Sequence, residues 1–431
     1  MKKIAVIGGG PKAAALCAKA LILNIPVKKI QLRVFEKAEW GAAWTGHHGY
    51  TDGNQRLCTP PERDVGFPYG EGLLNAEGAE KLFAAFSWGA FLVDQGSNPE
   101  TFSNWVDRGR KPPPHSVYAK YLGWVIERSG AVTTIGEVVA VAPGADGLWE
   151  VRYRQGTRER TASGFHGVVF TGAGPAKRGF ERAADPRIID GVDFWKEPEA
   201  FLAQADHSEE PVVIAGSGGT SAAIAAWIAQ HRPGKAVLII GNQAALFTRT
   251  ESFFENALFS DDDAWGALEL KDRISVTERL TRGVVWSAVS EILSASGDVR
   301  FRPGRVSGAF IQPAVDGAPE ELRVSVTDAK GERTDAARLI IDAAGFDAWW
   351  FVDLLPTDLR AKTVDGDPRQ TKTHRQKLAT EIGTDLTLDL GAVGLHVPML
   401  AQAQGPGFAS LMTLGLTSDR ILGVYVDPET E

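Results

Sequence analysis

Two glycine-rich turns, each directly after a short apolar run, constrain the fold of this chain more than any other feature. The first turn, GGGPKA at residues 8–13, follows KIAVI at residues 3–7. The second, GSGGTS at residues 216–221, follows PVVIA at residues 211–215. Both turns run into alanine-rich stretches that favour helix. The pattern predicts an α/β fold with two Rossmann-like dinucleotide-binding domains.

The glycines of such a turn have separate physical roles. The first makes the tight turn, the second lets the backbone approach a pyrophosphate, and the third position must be small so that the helix packs on the strand. The N-terminus of the helix then offers free N–H groups and a positive dipole end to the phosphates. A strand–helix corner without a ligand is the alternative for each turn. Two turns in one chain favour a protein that passes electrons between two nucleotides.

The strand after each turn distinguishes the two nucleotides. In the first half, the strand at 31–35 ends in Glu36, whose carboxylate can accept the hydroxyls of an adenosine ribose and would repel a 2′-phosphate. In the second half, the strand at 236–240 is followed by Asn242 and not by an acid, and Arg249 lies shortly after, which suits a 2′-phosphate. The sequence therefore predicts FAD at the first turn and NADPH at the second. The residues predicted to bind these cofactors are Gly8, Gly10, Pro11, Lys12, Ala13 and Glu36 in the first half and Gly216, Ser217, Gly218, Thr220, Ser221 and Arg249 in the second.

A faint internal duplication supports this organisation. Each half ends in an apolar strand that closes on small residues, GVVFTGAG at 167–174 and RLIIDAAGF at 338–346. Small residues there let the chain pass close under a bound dinucleotide. We therefore expect an FAD-binding domain at 1–205, an inserted NADPH-binding domain at 206–335, and a return to the FAD-binding domain at 336–431 with a C-terminal helix. Gly407 lies in a glycine-rich turn before that helix and is predicted to face FAD, the alternative being a plain capping helix.

Composition and missing motifs exclude several classes. The net charge of −8 gives no reason to expect nucleic acid or a membrane surface as partner, and no apolar run reaches the ~20 residues of a membrane span, so we expect a cytoplasmic protein. Cys17 and Cys58 are the only cysteines, without CxxC spacing, which argues against a disulfide reductase. Residues 189–195 (IDGVDFW) lack the histidine that marks Baeyer–Villiger monooxygenases before the second turn. No metal-ligand spacing is evident, and no metal is predicted.

Three segments resemble a known family, the siderophore amine N-monooxygenases, and most specifically its mycobactin-type L-lysine N6-hydroxylases, which are related to L-ornithine N5-hydroxylases. They are TDGNQRLCTPPERDVGFPY at 51–69, ESFFENALF at 251–259, and the C-terminal stretch from GPGF at 405–408 to LTSDRIL at 416–422. With the two turns, the resemblance covers nearly the whole chain.

The resemblance implies a mechanism and four site residues. NADPH would reduce FAD, the reduced flavin would trap O2 as a C4a-hydroperoxide, and a neutral primary amine would take the distal oxygen. Gln55 would be catalytic and lie over the flavin, with Trp44 also at the cofactor. Asn256 would hold the amino-acid substrate. Arg63, where the family has a lysine, would grip the substrate carboxylate, since a guanidinium can do so bidentately.

Other readings of the sequence stay open. The alternatives are L-ornithine or another small amine as substrate, an NADPH oxidase or reductase without an organic substrate, and a degenerate two-nucleotide module. The Asn-Tyr-Ser segment of ornithine enzymes is absent at 280–285 (LTRGVV). Its absence weakens the hypothesis of L-ornithine as substrate more than that of L-lysine. It also leaves the residues that contact the nicotinamide undefined. The resemblance also implies a homo-oligomer, either a dimer or a tetramer.

Overall fold

The computed structural model describes residues 1–25, 27–70, 72–95, 101–204, 209–313, 320–367 and 369–426. The strands are β1 Lys2–Ile7, β2 Ile30–Glu36, β3 Val132–Ile135, β4 Glu137–Pro143, β5 Trp149–Gln155, β6 Arg158–Phe165, β7 Gly167–Phe170, β8 Glu181–Arg182, β9 Ile188–Asp190, β10 Val212–Ala215, β11 Val237–Gly241, β12 Phe247–Thr248, β13 Gly283–Val285, β14 Val299–Pro303, β15 Arg305–Gln312, β16 Glu321–Asp328, β17 Gly331–Ala337, β18 Leu339–Asp342 and β19 Leu395–His396.

Helices cover the faces of the sheets. They are α1 Pro11–Leu23, α2 Ala76–Phe86, α3 Trp88–Asp94, α4 Phe102–Asp107, α5 His115–Arg128, α6 Gly191–Lys196, α7 Pro198–Gln204, α8 Gly219–His231, α9 Phe253–Ala257, α10 Asp262–Gly266, α11 Leu270–Arg282, α12 Ser287–Ala295, α13 Thr357–Ala361, α14 Thr371–Thr380 and α15 Leu414–Gly423. Among the described residues, no helix combines the length and apolarity needed to cross a membrane.

The first half is organised around a parallel sheet with the strand order β19-β7-β1-β2-β3. The central strand β1 is buried from Ile4 to Ile7, as expected of a parallel strand covered on both faces. Helix α1 packs against α5 and α15 on one face. The antiparallel strands β4, β5 and β6 precede β7 in the chain and form a separate three-stranded sheet.

The second half repeats this plan. Its parallel sheet has the order β14-β11-β10-β18-β9, with β10 buried along its whole length. The antiparallel strands β15, β16 and β17 precede β18 just as β4 to β6 precede β7. The predicted α/β fold class with two Rossmann-like units is confirmed, and both small-residue strands lie next to the strand that enters a glycine turn.

The strand pairing bears on where the domains begin and end. Ile188–Asp190 and Leu339–Asp342 belong to the second sheet, although both lie outside the 206–335 range predicted for the NADPH domain. The division into domains stays a prediction. Membership of the second sheet favours limits near 188 and 342.

Candidate cofactor and substrate site

The first glycine turn has no room for a side chain at Gly8 but has free space beside Gly10. At Gly8 φ is +105°, and a Cβ would lie 2.6 Å from the Oγ1 of Thr171, which donates to the carbonyls of Ile7 and Gly8. At Gly10, a Cβ would meet no described atom within 4 Å. That open space lies at the N-terminus of α1, where Pro11 occupies the first turn. The geometry suits a phosphate group, because the helix N–H groups and dipole point into it.

Glu36 ends β2 beside the same turn. Its carboxylate accepts hydrogen bonds from the backbone N–H of Gly9 at 2.8 Å and of Ala38 at 3.0 Å. A carboxylate offers about four acceptor positions, so two of them stay free for ribose hydroxyls. Ala13, at the third small position of the turn, is fully buried in the core that contains β1.

Gln55 brings an unpaired buried amide to the first half. Its backbone is fixed, because its N–H donates to Asp52 Oδ1 at 3.0 Å and its carbonyl accepts from the N–H of His115 at 2.7 Å. Its side-chain Nε2 is buried, and in the described part of the chain it has no hydrogen-bond partner. Trp44 lies against α5, with its ring edge-on to the rings of His115 and Tyr118 at centroid distances of 4.8 and 5.5 Å.

The C-terminal segment lies against the first helix. Lys12 Nζ donates to the carbonyl of Ser410 at 2.9 Å, and burial lowers the pKa of Lys12 to about 8. A Cβ at Gly407 would collide with the side chain of Thr413, so a glycine is required there for packing. Helix α15 begins only at Leu414. The FAD contacts of Lys12 and Gly407 stay predictions.

The second glycine turn has the same geometry as the first. At Gly216 φ is +144°, and a Cβ would collide with the carbonyl oxygen of Ala343. At Gly218, a Cβ would meet nothing among the described residues within 4 Å. Ser221, at the small third position, is buried and its Oγ donates to the carbonyl of Gly218 at 2.8 Å.

Two further predicted residues border this second turn. The Oγ of Ser217 donates to Asn242 Oδ1 at 3.4 Å, which connects the turn to the end of β11. The methyl group of Thr220 faces Gly191 at the start of α6, 3.1 Å from where a Cβ would lie. Each turn therefore excludes side chains where the chain turns and leaves space where a pyrophosphate would approach, and both turns fit a dinucleotide.

Arg249 points towards the first half. Its Nε donates to both carboxylate oxygens of Glu251, at 2.9 and 3.0 Å. Its Nη2 donates to the sulfur of Met412 at 3.0 Å, and its Nη1 to the sulfur of Cys58 at 3.7 Å. These contacts do not favour the 2′-phosphate role predicted for Arg249.

Arg63 and Asn256 come together from different halves of the chain. Arg63 Nη2 donates to Asn256 Oδ1 at 3.3 Å, and Arg63 Nη1 donates to the carbonyl of Met412 at 3.2 Å. The guanidinium of Arg63 lies 4.8 Å from the centre of the Phe67 ring. Burial lowers the pKa of Arg63, and the nearby guanidinium of Arg249 lowers it further.

The local sequence holds Asn256 in place. Ser252 and Glu255 form a capping box at the start of α9, so that the helix begins at a fixed residue. The amide of Asn256 donates back to the carbonyls of Glu251 and Ser252, at 3.2 and 3.1 Å. Its oxygen is thereby directed at Arg63.

Asp64 is a structural element of the site that sequence reasoning did not identify. It is buried, and its carboxylate accepts from Tyr69 Oη at 2.7 Å, from the N–H of Trp88 at 2.8 Å and from that of Gly66 at 3.1 Å. Burial raises the pKa of Asp64 to about 6, although these hydrogen bonds act in the opposite direction. Asp64 fixes the loop that carries Arg63. An acid directly before an apolar residue, Val65, in a proline-rich segment was the available signal.

Comparison with known proteins connects this geometry to a family. A family model described as L-lysine 6-monooxygenase/L-ornithine 5-monooxygenase matches residues 83–293. The L-lysine N6-monooxygenase MbtG of Mycobacterium sp. (strain MCS) is 38% identical over 435 residues, covering 97% of this chain and 94% of that protein. The chain belongs to the lysine and ornithine monooxygenase family.

Other members of the lysine and ornithine monooxygenase family match along the whole chain. The MbtG protein of Mycobacterium tuberculosis (strain ATCC 25618 / H37Rv) is 34% identical, covering 99% of this chain and 96% of that protein. The solved structure of the lysine monooxygenase NbtG from Nocardia farcinica superposes with a TM-score of 0.78 at 31% identity, covering 98% of this chain and all of that one. The family resemblance found in the sequence is confirmed.

Proposed function

We propose that this protein is an FAD- and NADPH-dependent monooxygenase that converts the side-chain amine of L-lysine to a hydroxylamine, for the biosynthesis of a hydroxamate siderophore. The observation that carries the proposal is the hydrogen bond between Arg63 and Asn256. It joins the two halves next to the loop of Gln55, in a chain with two open dinucleotide turns. The match to relatives named L-lysine N6-monooxygenase over nearly their whole length supports lysine as the substrate.

The reaction combines one amine, one O2, one NADPH and one proton, and yields one hydroxylamine, NADP⁺ and water. When bound, FAD would supply the redox chemistry, namely acceptance of the hydride of NADPH and transfer of one oxygen atom of O2 to the amine. The protein supplies binding and orientation and excludes water from the site. The open spaces at Gly10 and Gly218 would receive the two pyrophosphates, and Glu36 the adenosine ribose of FAD.

Three side chains would act on the substrate side. Arg63 would bind the carboxylate of lysine, and the side-chain oxygen of Asn256 would accept from its α-ammonium, since both amide hydrogens of Asn256 already donate to backbone carbonyls. The free amide nitrogen of Gln55 would donate a hydrogen bond at the site of oxygen transfer, because it is buried and lacks a partner among the described residues.

The deciding experiment follows NADPH oxidation and hydroxylamine formation by the purified, FAD-loaded protein with L-lysine, L-ornithine and cadaverine. We expect hydroxylamine from L-lysine at a rate that matches NADPH oxidation. NADPH oxidation that yields hydrogen peroxide and no hydroxylamine from any amine would refute an N-hydroxylase. If hydroxylamine forms from L-ornithine in preference to L-lysine, the proposed substrate is wrong but the proposed reaction stands.

A Gln55→Ala variant tests the role of the amide. Loss of one neutral hydrogen bond of about 0.5–1.5 kcal/mol should lower the hydroxylamine formed per NADPH about 2- to 10-fold. NADPH oxidation itself should continue, since neither glycine turn is altered. Unchanged coupling would show that Gln55 does not contact the reacting atoms.

Assembly and location belong to the same proposal. We also expect a homo-oligomer, either a dimer or a tetramer, and a cytoplasmic location. Light scattering coupled to gel filtration measures the mass directly, against 46.3 kDa for one chain. A mass of one chain at micromolar concentration would refute the oligomer.

A further inference from the structure

Arg249 has hydrogen-bonding capacity that the described residues do not use. A guanidinium carries five N–H donors, and within the described residues the Nε of Arg249 meets a carboxylate while its two Nη groups reach only the sulfur atoms of Cys58 and Met412. Thioether and thiol sulfur are weak acceptors. The side chain is only 18% exposed, so water cannot fully compensate. The Nη edge of Arg249 therefore lacks a strong acceptor.

The free edge faces the residues proposed to hold the substrate. Arg249 Nη2 and Arg63 Nη1 both contact Met412, one at its sulfur and the other at its carbonyl. Arg63 in turn reaches Asn256. Both guanidinium groups thus contact the same residue, in a site that combines elements of both halves.

The charge of this cluster is unbalanced. Arg63 and Arg249 carry two positive charges, and Glu251, bound to Arg249, carries one negative charge. Asn256 and the Met412 carbonyl are neutral. One further anion would balance the cluster and give the Nη groups a strong acceptor, and a carboxylate has the fork geometry that guanidinium groups bind best.

We propose that Arg249 binds the α-carboxylate of the substrate together with Arg63, and so makes the enzyme select amino acids over diamines of the same length. The inference rests on the proposed function and assigns to Arg249 a different ligand from the 2′-phosphate predicted from the sequence. Glu251 orients Arg249, because it fixes the Nε edge and leaves the Nη edge facing the site.

The test compares L-lysine with cadaverine, which has the same amine and chain length but no carboxylate. In Arg249→Ala, we expect the KM for L-lysine to rise about 10- to 100-fold, the range for loss of a charged hydrogen bond. The KM for cadaverine and the KM for NADPH should stay within about twofold. Calorimetric titration of L-lysine into the oxidised protein should show the same loss of affinity without turnover.

Controls separate this role from damage to the fold. Arg369→Ala is a matched control, because Arg369 also pairs with a carboxylate two residues away but its side chain is 89% exposed on the surface. Arg369→Ala should change neither the KM for L-lysine nor the KM for cadaverine. Arg249→Lys keeps the positive charge but not the paired N–H donors of the guanidinium group, and it should give an intermediate KM for L-lysine. Arg249→Gln replaces Arg249→Ala if the alanine variant does not fold.

The outcomes are distinct. A raised KM for NADPH with an unchanged KM for L-lysine would overturn the inference and restore the 2′-phosphate role. An equal rise in the KM for L-lysine and the KM for cadaverine would also overturn the inference, because the carboxylate would then make no difference to binding. If the unmodified enzyme hydroxylates none of the amines, the proposed function fails, whereas a normal enzyme with an unaffected variant refutes only the role of Arg249.

Discussion

Replacement of Gly10 by alanine separates a cofactor cradle from a purely structural turn. The backbone at Gly10 is extended, with φ −94° and ψ −163°, and a Cβ there would meet no described atom within 4 Å. Alanine therefore fits the protein itself. If the space is where the pyrophosphate of FAD lies, the added methyl group projects into the cofactor. Gly8→Ala cannot make this distinction, because its positive φ and the contact with Thr171 would disturb the fold whatever binds.

The magnitudes follow from the two environments. A glycine-to-alanine change gains about 0.4–1 kcal/mol through the unfolded chain, and a poorer helix N-cap offsets part of this, so the free energy of unfolding of the FAD-free protein should change by less than about 1 kcal/mol. A methyl group forced against a bound ligand costs about 1–3 kcal/mol, which raises the Kd for FAD about 5- to 150-fold.

Urea denaturation of the FAD-free protein and fluorescence titration with FAD measure the two quantities. Gly297→Ala is the matched control, since Gly297 lies in the loop before β14 and a Cβ there also meets no described atom within 4 Å. An unaltered Kd for FAD in a stable Gly10→Ala protein would refute the cradle. If the free energy of unfolding of the FAD-free Gly10→Ala protein falls by several kcal/mol, the space beside Gly10 is not open.

Three further predictions concern NADPH and pH. Gly218→Ala should raise the KM for NADPH about 5- to 150-fold and leave FAD content unchanged, because its surroundings match those of Gly10; steady-state kinetics at varied NADPH decide this. Tyr69→Phe removes the 2.7 Å hydrogen bond to buried Asp64 and should lower the free energy of unfolding by about 1–2 kcal/mol at pH 7. Because burial raises the pKa of Asp64 to about 6, ionisation of Asp64 destabilises the fold as pH rises through about 6. At pH 5 Asp64 is mostly protonated, so the free energy of unfolding lost in Tyr69→Phe should be smaller than at pH 7, as urea denaturation at both pH values would show. Burial lowers the pKa of His396 to about 4, so stability is lost as pH falls from about 6.5 towards 4; His396→Gln should reduce the stability lost between pH 7 and 4.5 by roughly 2–3 kcal/mol, and an identical pH profile would contradict a buried neutral imidazole.

The local features of this fold could be predicted because they are encoded in short segments. A continuous apolar run, a glycine turn and an alanine-rich helix specify each βα unit without reference to the rest of the chain, and both turns have the predicted geometry at Gly8 and Gly216. The pairing of Ile188–Asp190 with Leu339–Asp342 could not be predicted in this way. It joins residues about 150 positions apart, and a strand of three residues carries no signal for its partner.

The same limit applied to the site. Gln55, Arg63 and Asn256 were predicted through motifs, and their roles stay predictions; the direction of a long side chain depends on its neighbours in space. Arg249 follows a strand without an acid at its end, and that pattern suited a 2′-phosphate. The structure instead directs it towards Glu251 and Met412. Met412 has no motif of its own and contributes because the C-terminal segment brings it into contact with both arginines.

The contacts between the halves explain why a substrate site should lie at this boundary. Arg63 to Asn256, Arg249 to Met412 and Arg249 to Cys58 all cross it, and among the described residues the two Nη groups of Arg249 meet only sulfur atoms. Partly buried cations with weak partners make a poor interface for stability alone. They suit a carboxylate that contacts both halves at once, because a ligand that bridges two units stabilises their arrangement in proportion to its affinity for that arrangement over others. The amino-acid end of the substrate would then hold together the two units between which the electrons pass.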